Sequence, residues 1–277
     1  MEKRRNLPRL CLLLTAALTL LGVALRSVCM LCCFDADIGY FTEGPLPALS
    51  NALYFAAVLT PALCMAFTPK DTLPTELHTP GRASAAILTG LALVAFTVVA
   101  LLICFPARKS NTLLVSSLLG LPASAYYFLS ARRDGRYPDW LSCLGFLPAV
   151  WSIAGVADTY FDLHTAMNSP DKIALQLGLV GVMMITLAEL RFRLTGRTMP
   201  RYSVVLLSIG AYTCLVGSIP LLAAMCAGTA RHLRHALYAL VLLCAGIYGF
   251  CLLLRYIVSP APSEAPAKLP DTPNTAE

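Results

Sequence analysis

The chain consists mainly of long apolar blocks separated by short polar segments. Each block holds about 20 residues, which is the length that a helix needs to cross the ~30 Å hydrocarbon core of a bilayer. Hydrophobic residues make up 57% of the chain and charged residues 13%, and the mean hydropathy is +0.70. A soluble domain carries about 25% charged residues. Because too few polar residues remain to cover a water-exposed surface, we expect an integral membrane protein.

Eight blocks are long enough to span the membrane, so the expected fold is an all-α bundle of about eight transmembrane helices. Lipid offers no water to an unpaired backbone, and the strand-length alternation of a membrane barrel is absent from the sequence. The predicted transmembrane domain covers residues 1–258, and the tail at 259–277 is predicted to be disordered because it is rich in Pro, Ala and charge. The predicted spans are residues 10–33, 46–67, 83–105, 113–131, 140–157, 173–190, 202–226 and 236–255.

Lysine and arginine are distributed unequally between the two sides of the predicted bundle. Of the 21 such residues, 15 lie on the side that holds both chain ends and 5 lie in the loops of the other side. Positively charged segments stay in the cytoplasm, so we expect a multi-pass protein of the plasma membrane with both termini cytoplasmic. This topology, together with anionic lipid, accounts for the positive charge. No base-reading motif accompanies it, and nucleic acid is not an expected partner.

The predicted spans repeat weakly, with an offset of about 120 residues. The first and third outer loops each place an acidic residue shortly before a Tyr-Phe pair, Tyr40-Phe41 in one and Tyr160-Phe161 in the other. Four spans is an even number, so a duplication would be a parallel 4+4 repeat, which is one of the forms that transporters use. Chance similarity between ordinary helical hairpins is the alternative.

Acidic side chains are concentrated in the same two outer loops. If the loops meet, their carboxylates would line an outward mouth and attract a small solute or a cation, because hard cations prefer several oxygen ligands at once. The alternative is that they are solvated loop acids that help to keep those loops outside. The candidate binding residues are Asp35, Asp37, Tyr40, Glu43, Asp158, Tyr160, Asp162 and His164.

Four polar residues inside or near the spans are predicted to make contacts between helices. Arg26 lies near the outer end of the first span, where its guanidinium can snorkel outward or pair with an outer-loop acid. Asn51 and Tyr54 share one face of the second span, and Gln176 lies near the outer start of the sixth. Hydrogen bonds between helices are the expected role of these groups, with a substrate contact as the alternative.

Proline and small residues add detail to the predicted bundle. A proline inside a membrane helix frees a carbonyl and kinks the helix, which can create a hinge. Small residues four positions apart allow two helices to approach closely. The prolines are Pro61, Pro122, Pro148 and Pro220, and the small-residue faces are Ser116-Gly120-Ser124, Ala174-Gly178 and Ala245-Gly249.

The sequence carries no motif of catalysis or of phosphate binding. Of its 11 Cys residues, Cys29, Cys32 and Cys33 cluster at the outer end of the first span, but no second Cys pair or Cys-His pair lies beside them to complete a metal site. No catalytic residue, cofactor or metal is therefore predicted. Three functions remain open: a transporter-like protein for a small solute, a non-catalytic subunit or sensor with a membrane or ATP-binding partner, and a membrane-embedded lipid-modifying enzyme. Charged residues are scarce at predicted mid-membrane depth, which disfavours the enzyme.

Overall fold

The fold is seen in a computed structural model, which describes residues 7–35, 38–68, 81–107, 111–132, 143–163, 165–166, 168–195, 200–229 and 232–258. This part of the chain contains eight helices that are long and apolar enough to cross a membrane. The predicted all-α, multi-pass helix bundle is therefore confirmed. The predicted tail at 259–277 lies outside the described residues.

The elements follow one another with short connections. Three of the long helices begin at a proline, which fits the first turn because it has no N–H to leave unbonded. The helices are α1 Leu7–Cys32, α2 Pro45–Ala66, α3 Arg82–Ala107, α4 Asn111–Arg132, α5 Leu147–Tyr160, α6 Pro170–Thr195, α7 Pro200–Cys226 and α8 Leu233–Val258. A 3-10 turn at Cys143–Phe146 precedes α5, and a short antiparallel hairpin of β1 Phe34–Asp35 and β2 Tyr40–Phe41 joins α1 to α2.

Three helices extend by three residues past their predicted spans at one end of the bundle. α5 continues to Tyr160, α6 begins at Pro170 and α8 begins at Leu233. Hydropathy ends a span at its last apolar residue, whereas the backbone helix continues as long as its hydrogen bonds and side-chain partners are satisfied. Charged residues that were predicted to lie in loops are consequently helical and packed inside the bundle.

The most buried helix is α7, which contacts α1, α2, α6 and α8. On the other side of the bundle α3 packs against α4 and α8, and α5 joins α4 to α6. α7 therefore contacts helices of both predicted halves. The 4+4 duplication stays a prediction.

Glycine allows α6 and α7 to approach at backbone distance. A Cβ atom on Gly181 would lie 2.7 Å from the carbonyl oxygen of Gly210, and a Cβ on Gly210 would lie 2.7 Å from that of Gly181. One of the predicted small-residue faces shows the same close approach, between α4 and α3. A Cβ on Gly120 would collide with Thr97 Oγ1 of α3. Small residues therefore set the helix spacing, as expected where lipid supplies no hydrophobic force between helices.

The outside of the bundle is apolar and faces lipid. Leu20 is 74% exposed and Phe55 70%, an arrangement that is stable only in a bilayer. We call the end that holds the starts of α4, α6 and α8 the outer end, after the predicted orientation. The opposite end, with the start of α3 and the ends of α4, α6 and α8, is the inner end.

Candidate functional site

A buried ion pair at the outer end joins α5 to α8. Arg234 donates from Nε to Asp158 Oδ2 at 2.8 Å, and from Nη2 to Asp158 Oδ1 and to the Asp158 main-chain oxygen at 2.9 Å. Asp158 is completely buried, while the Arg234 side chain keeps 17% of its surface exposed. A guanidinium that binds both oxygens of a carboxylate fixes the orientation of both groups.

Hydroxyl groups complete the shell of Asp158. Tyr238 Oη donates to Oδ2 at 2.9 Å, and Thr112 Oγ1 donates to Oδ1 at 2.7 Å. The Tyr238 hydroxyl also lies 2.9 Å from Ser116 Oγ of α4. Each carboxylate oxygen of Asp158 thus accepts from both a guanidinium and a hydroxyl, which offsets the cost of burying the charge.

The same cluster continues toward α6. His235 lies between two carboxylates, with Nε2 at 3.4 Å from Asp162 Oδ2 and Nδ1 at 3.4 Å from Asp171 Oδ2. The buried ammonium of Lys172 donates to the Asp162 main-chain oxygen at 2.8 Å. Three carboxyl groups and three basic side chains meet here. We call them, with Thr112, Ser116 and Tyr238, the outer network.

A second buried cluster surrounds Glu189 of α6 at the inner end. Tyr248 Oη of α8 donates to Oε2 at 2.5 Å, and Tyr126 Oη of α4 donates to the same oxygen at 3.0 Å. Ser130 Oγ donates to Oε1 at 2.8 Å and lies 2.8 Å from the Tyr248 hydroxyl. Arg82, at the start of α3, approaches Oε1 with Nη1 at 3.8 Å. These five residues form the inner network.

Both networks cross one interface, between α4 on one side and α6 and α8 on the other. On α4 the outer network uses Ser116 and the inner network Ser130, about 21 Å apart at 1.5 Å per residue. On α6 the corresponding residues, Asp171 and Glu189, are about 27 Å apart, close to the thickness of the hydrocarbon core. Polar contacts therefore hold the interface together near both membrane surfaces.

Aromatic side chains of α3 and α5 pack against Tyr238 of the outer network. Phe96 of α3 packs edge-on against Trp151 of α5, with ring centres 5.6 Å apart, and its ring centre lies 4.7 Å from that of Tyr238. Trp151 is fully buried, and its Nε1 has no hydrogen-bond partner among the described residues. A buried N–H without a partner is uncommon and marks a position where a polar group can bind.

The described members of the predicted outward mouth divide between two environments. Asp158 and Asp162 belong to the outer network and are buried, so the expectation that they are solvated loop acids is wrong. Asp35 pairs with Tyr40 in the hairpin, and Tyr40 is 40% exposed. Glu43 is exposed, and Tyr160 is 49% exposed against the ring of Phe161.

The two outer loops do meet. Gly39 has a φ of +77°, and a Cβ added there would lie 3.5 Å from Ala166 Cβ, so the hairpin turn lies against the connection between α5 and α6. Asp37 and His164 lie outside the described residues. Binding of a solute by the predicted set stays a prediction.

The four polar residues predicted between helices lie next to two cavities. Arg26 does not snorkel to the interface, because it is 6% exposed and donates to the Pro170 main-chain oxygen at 2.7 Å. With Asn51 and Tyr54 it lines a cavity of about 340 Å³. Gln176 lines a separate cavity of about 430 Å³ with Tyr160, and its Nε2 has no hydrogen-bond partner in the described ranges.

Sequence reasoning missed the whole inner network and the basic half of the outer one. It treated Arg82 and Arg234 as markers of topology and placed His235 and Lys172 in loops. One available signal was Tyr126 and Ser130, which lie four residues apart and so share a helix face, at the same predicted inner end as Glu189. Nothing local marked Asp158 and Arg234 as partners, because 76 positions separate them.

Within the described ranges, no group of three or more His, Cys, Asp or Glu side chains has the geometry to hold a metal ion. Comparison with protein-family models, with curated proteins and with solved structures found no match. The chain is a multi-pass membrane protein, and its described buried charges other than Arg26 lie in the outer and inner networks.

Proposed function

We propose that the protein is a transporter-like permease for a small solute, in which the outer and inner networks are gates. The observation that carries the proposal is that both networks close the same interface, between α4 and the pair α6 and α8, near opposite membrane surfaces. Alternating access requires an interface that opens at one end while the other stays closed.

The cost of the networks supports a functional role. Ionisable side chains that transmembrane helices bury inside a bundle are expensive, and where they occur they commonly mark solute pathways, ion pathways or proton relays. A bundle that needed only stability would gain as much from apolar side chains of similar size, since buried ion pairs recover little more than their desolvation cost. A gate needs contacts that form and break at fixed positions, and the polar bonds of the two networks are contacts of that kind.

Pro122 gives α4 a place to bend between the gates. It lies inside α4, between Ser116 of the outer network and Ser130 of the inner network. A proline removes one backbone hydrogen bond and its ring pushes against the preceding turn, so the two halves of the helix can change their angle. Rocking of α4 about this point would release one network at a time.

A static, non-catalytic subunit that binds a membrane or ATP-binding protein partner is the second candidate. It is favoured by the complete shell around Asp158, whose two carboxylate oxygens accept four hydrogen bonds from described residues. In that case the networks hold the helices together and do not open. The two candidates make different predictions for the interface between the networks. Water enters this interface in a transporter and does not enter it in a static subunit.

Thiol accessibility tests the proposal without knowledge of the solute. Ala123 of α4 is fully buried and lies seven residues from both Ser116 and Ser130, on the same helix face, so Ala123→Cys places a thiol inside the interface. A membrane-impermeant maleimide is added to either side of sealed vesicles, and labelling is measured peptide by peptide so that the native cysteines remain. Combined with Arg234→Gln, the new thiol should gain labelling from the outer side. Combined with Glu189→Gln, it should gain labelling from the inner side.

A gain of about tenfold is expected if losing a network shifts the equilibrium between closed and open states by ~1.4 kcal/mol. Leu118→Cys is the matched control, because this α4 residue is 56% exposed to lipid and neither network variant should change its labelling. If the thiol introduced by Ala123→Cys is labelled from neither side in either network variant, the static subunit is supported. Labelling from both sides in each variant means general loosening and contradicts gating.

We also infer that the protein resides in the plasma membrane with both termini in the cytoplasm, from the excess of Lys and Arg on that side. Reporter fusions at residue 1 and residue 277 test this, with cytoplasmic activity expected for both. Periplasmic or extracellular signals from both fusions would reverse the assignment of the outer and inner ends, and such a signal from one fusion alone would contradict an even number of spans.

A further inference from the structure

A cavity of about 340 Å³ lies between α1, α2 and the start of α6, apart from both networks. Its volume is within the range of small-molecule sites. The polar lining consists of Arg26 from α1, Asn51 and Tyr54 from α2, and Asn168 before α6. The remaining wall is apolar. We call it the lateral cavity.

The guanidinium of Arg26 supplies a buried positive charge beside this space. The residue is 6% exposed, its Nη2 donates to the Pro170 main-chain oxygen, and its Cζ lies 5.4 Å from the centre of the Phe41 ring. No carboxylate in the described residues forms an ion pair with it. Asp171 is near enough to interact through space, but its Oδ2 faces His235 at 3.4 Å. A buried cation that pairs with no described carboxylate favours an anion beside it.

Tyr54 adds a hydrogen-bond donor to the same wall. Its Oη is buried and has no hydrogen-bond partner in the described part of the chain, while its ring packs edge-on against Tyr212 with centres 5.2 Å apart. No hydrogen bond to a described residue therefore ties this hydroxyl to a neighbouring helix. Asn51, three residues earlier on the same face, is exposed and adds an amide. These groups are donors suited to phosphate oxygens.

The cavity opens sideways toward lipid and not toward the core of the bundle. Phe55 is 70% exposed, Ile173 40% and Leu177 38%, and all three line the opening. A ligand that fills this space therefore meets charge and hydrogen-bond donors at one end and hydrocarbon at the other. Amphiphiles have that distribution of polarity, and free solutes do not.

We propose that the lateral cavity binds an anionic phospholipid from the leaflet at the outer end of the bundle. The phosphate lies against Arg26 and Tyr54, and an acyl chain lies along Phe55 and Leu177. Charge complementarity with the buried guanidinium selects the anionic headgroup, and the lateral opening selects a lipid over a water-soluble phosphate. This proposal does not rest on transport, because the site uses no residue of either network.

Native mass spectrometry of the purified full-length protein tests the proposal. The protein is titrated with phosphatidylglycerol, with phosphatidylcholine of the same acyl chains, and with inorganic phosphate. We expect one tightly retained phosphatidylglycerol and an affinity for it about tenfold or more above that for phosphatidylcholine. Arg26→Gln should remove this preference, and Tyr54→Phe should weaken phosphatidylglycerol binding several-fold. Tyr160→Phe, a half-exposed tyrosine of another cavity, is the matched control and should leave it unchanged.

Equal retention of the two lipids would overturn the proposal, and so would inorganic phosphate that binds as tightly as phosphatidylglycerol. If Arg26→Gln does not fold, Tyr54→Phe decides, because it keeps the ring that packs against Tyr212. Unchanged phosphatidylglycerol binding by Tyr54→Phe then contradicts the site.

Discussion

Arg234 of α8 binds Asp158 of α5 through both carboxylate oxygens and the main-chain oxygen. The contact fixes two helices that are far apart in sequence and buries a carboxylate completely. Removing one partner of such a pair leaves the other charge in a poor environment, which commonly costs more than the pair contributes. The pair is therefore the most sensitive point of the outer network.

We expect Asp158→Asn to lower the free energy of unfolding by about 2 kcal/mol. The loss stays below the largest values known for buried pairs because Arg234 is partly exposed and has Asp162 at 3.8 Å as a second carboxylate. Unfolding by SDS in mixed micelles, followed by tryptophan fluorescence, measures the change. Glu43→Gln, at an exposed outer-loop acid, is the control and should change stability by less than about 0.5 kcal/mol.

A double-mutant cycle with Arg234→Gln separates the pair from its surroundings. The two substitutions together should cost less than the sum of their separate effects, with a coupling energy of about 1–2 kcal/mol. Strict additivity would mean that the two residues act independently, which is inconsistent with the bidentate contact.

Hydropathy predicted the eight helices because crossing a bilayer requires about 20 apolar residues, and that requirement is visible in any single sequence. It did not predict the outer network. Asp158 directly follows one apolar run and Lys172 directly precedes another, so hydropathy ends one predicted span just before Asp158 and begins the next just after Lys172. The burial of Asp158 depends on Arg234 and that of Lys172 on the Asp162 main-chain oxygen, partners that become neighbours only when the helices pack together.

Small residues predicted helix contacts better than hydropathy predicted the outer network. Close helix contact depends on the absence of a side chain and not on a distant partner. The predicted face of Ser116, Gly120 and Ser124 does bring α4 close to α3, through Gly120 and Thr97. Arg26 was predicted at the correct end of the first span. Whether its side chain snorkels outward or points into the bundle was not predicted, because that depends on where the neighbouring helix lies. Tertiary packing decided that point.

Tyr248→Phe tests the inner network by removing a single oxygen atom. The Tyr248 hydroxyl donates to Glu189 at 2.5 Å, so the substitution removes one charge-assisted hydrogen bond and leaves the ring in place. The expected loss of stability is about 1.5–3 kcal/mol in the same SDS assay. Tyr202→Phe is the matched control, because this tyrosine is 51% exposed and its ring can still lie below Arg191. Equal stability of the two variants would contradict the assigned role of Tyr248.

Gly210→Ala should separate α6 from α7. The new Cβ would lie 2.7 Å from the Gly181 carbonyl oxygen and 2.8 Å from Ile185 Cγ1, and a backbone atom cannot move aside without the whole helix. Overpacking of this kind costs about 1–3 kcal/mol. Gly44→Ala is the control, since its nearest atom is Pro47 Cδ at 3.9 Å and its φ of 171° is extended. A stable Gly210→Ala variant would show that the contact is looser than the glycine geometry requires.

Pro122→Ala distinguishes a bending α4 from a rigid one. Alanine restores the missing N–H and favours a continuous helix, so the stability of the closed bundle should stay the same or rise. If α4 rocks about Pro122, the same change should reduce, by several-fold, the outer-side labelling that Arg234→Gln produces at the Ala123→Cys thiol. Pro61→Ala is the matched control, because Pro61 also lies inside a helix, α2, that contributes no described residue to either network. Labelling that is unaffected by Pro122→Ala, or reduced equally by Pro61→Ala, would show that α4 does not bend at this position, and the two networks would then have to open by a movement of α6 and α8 alone.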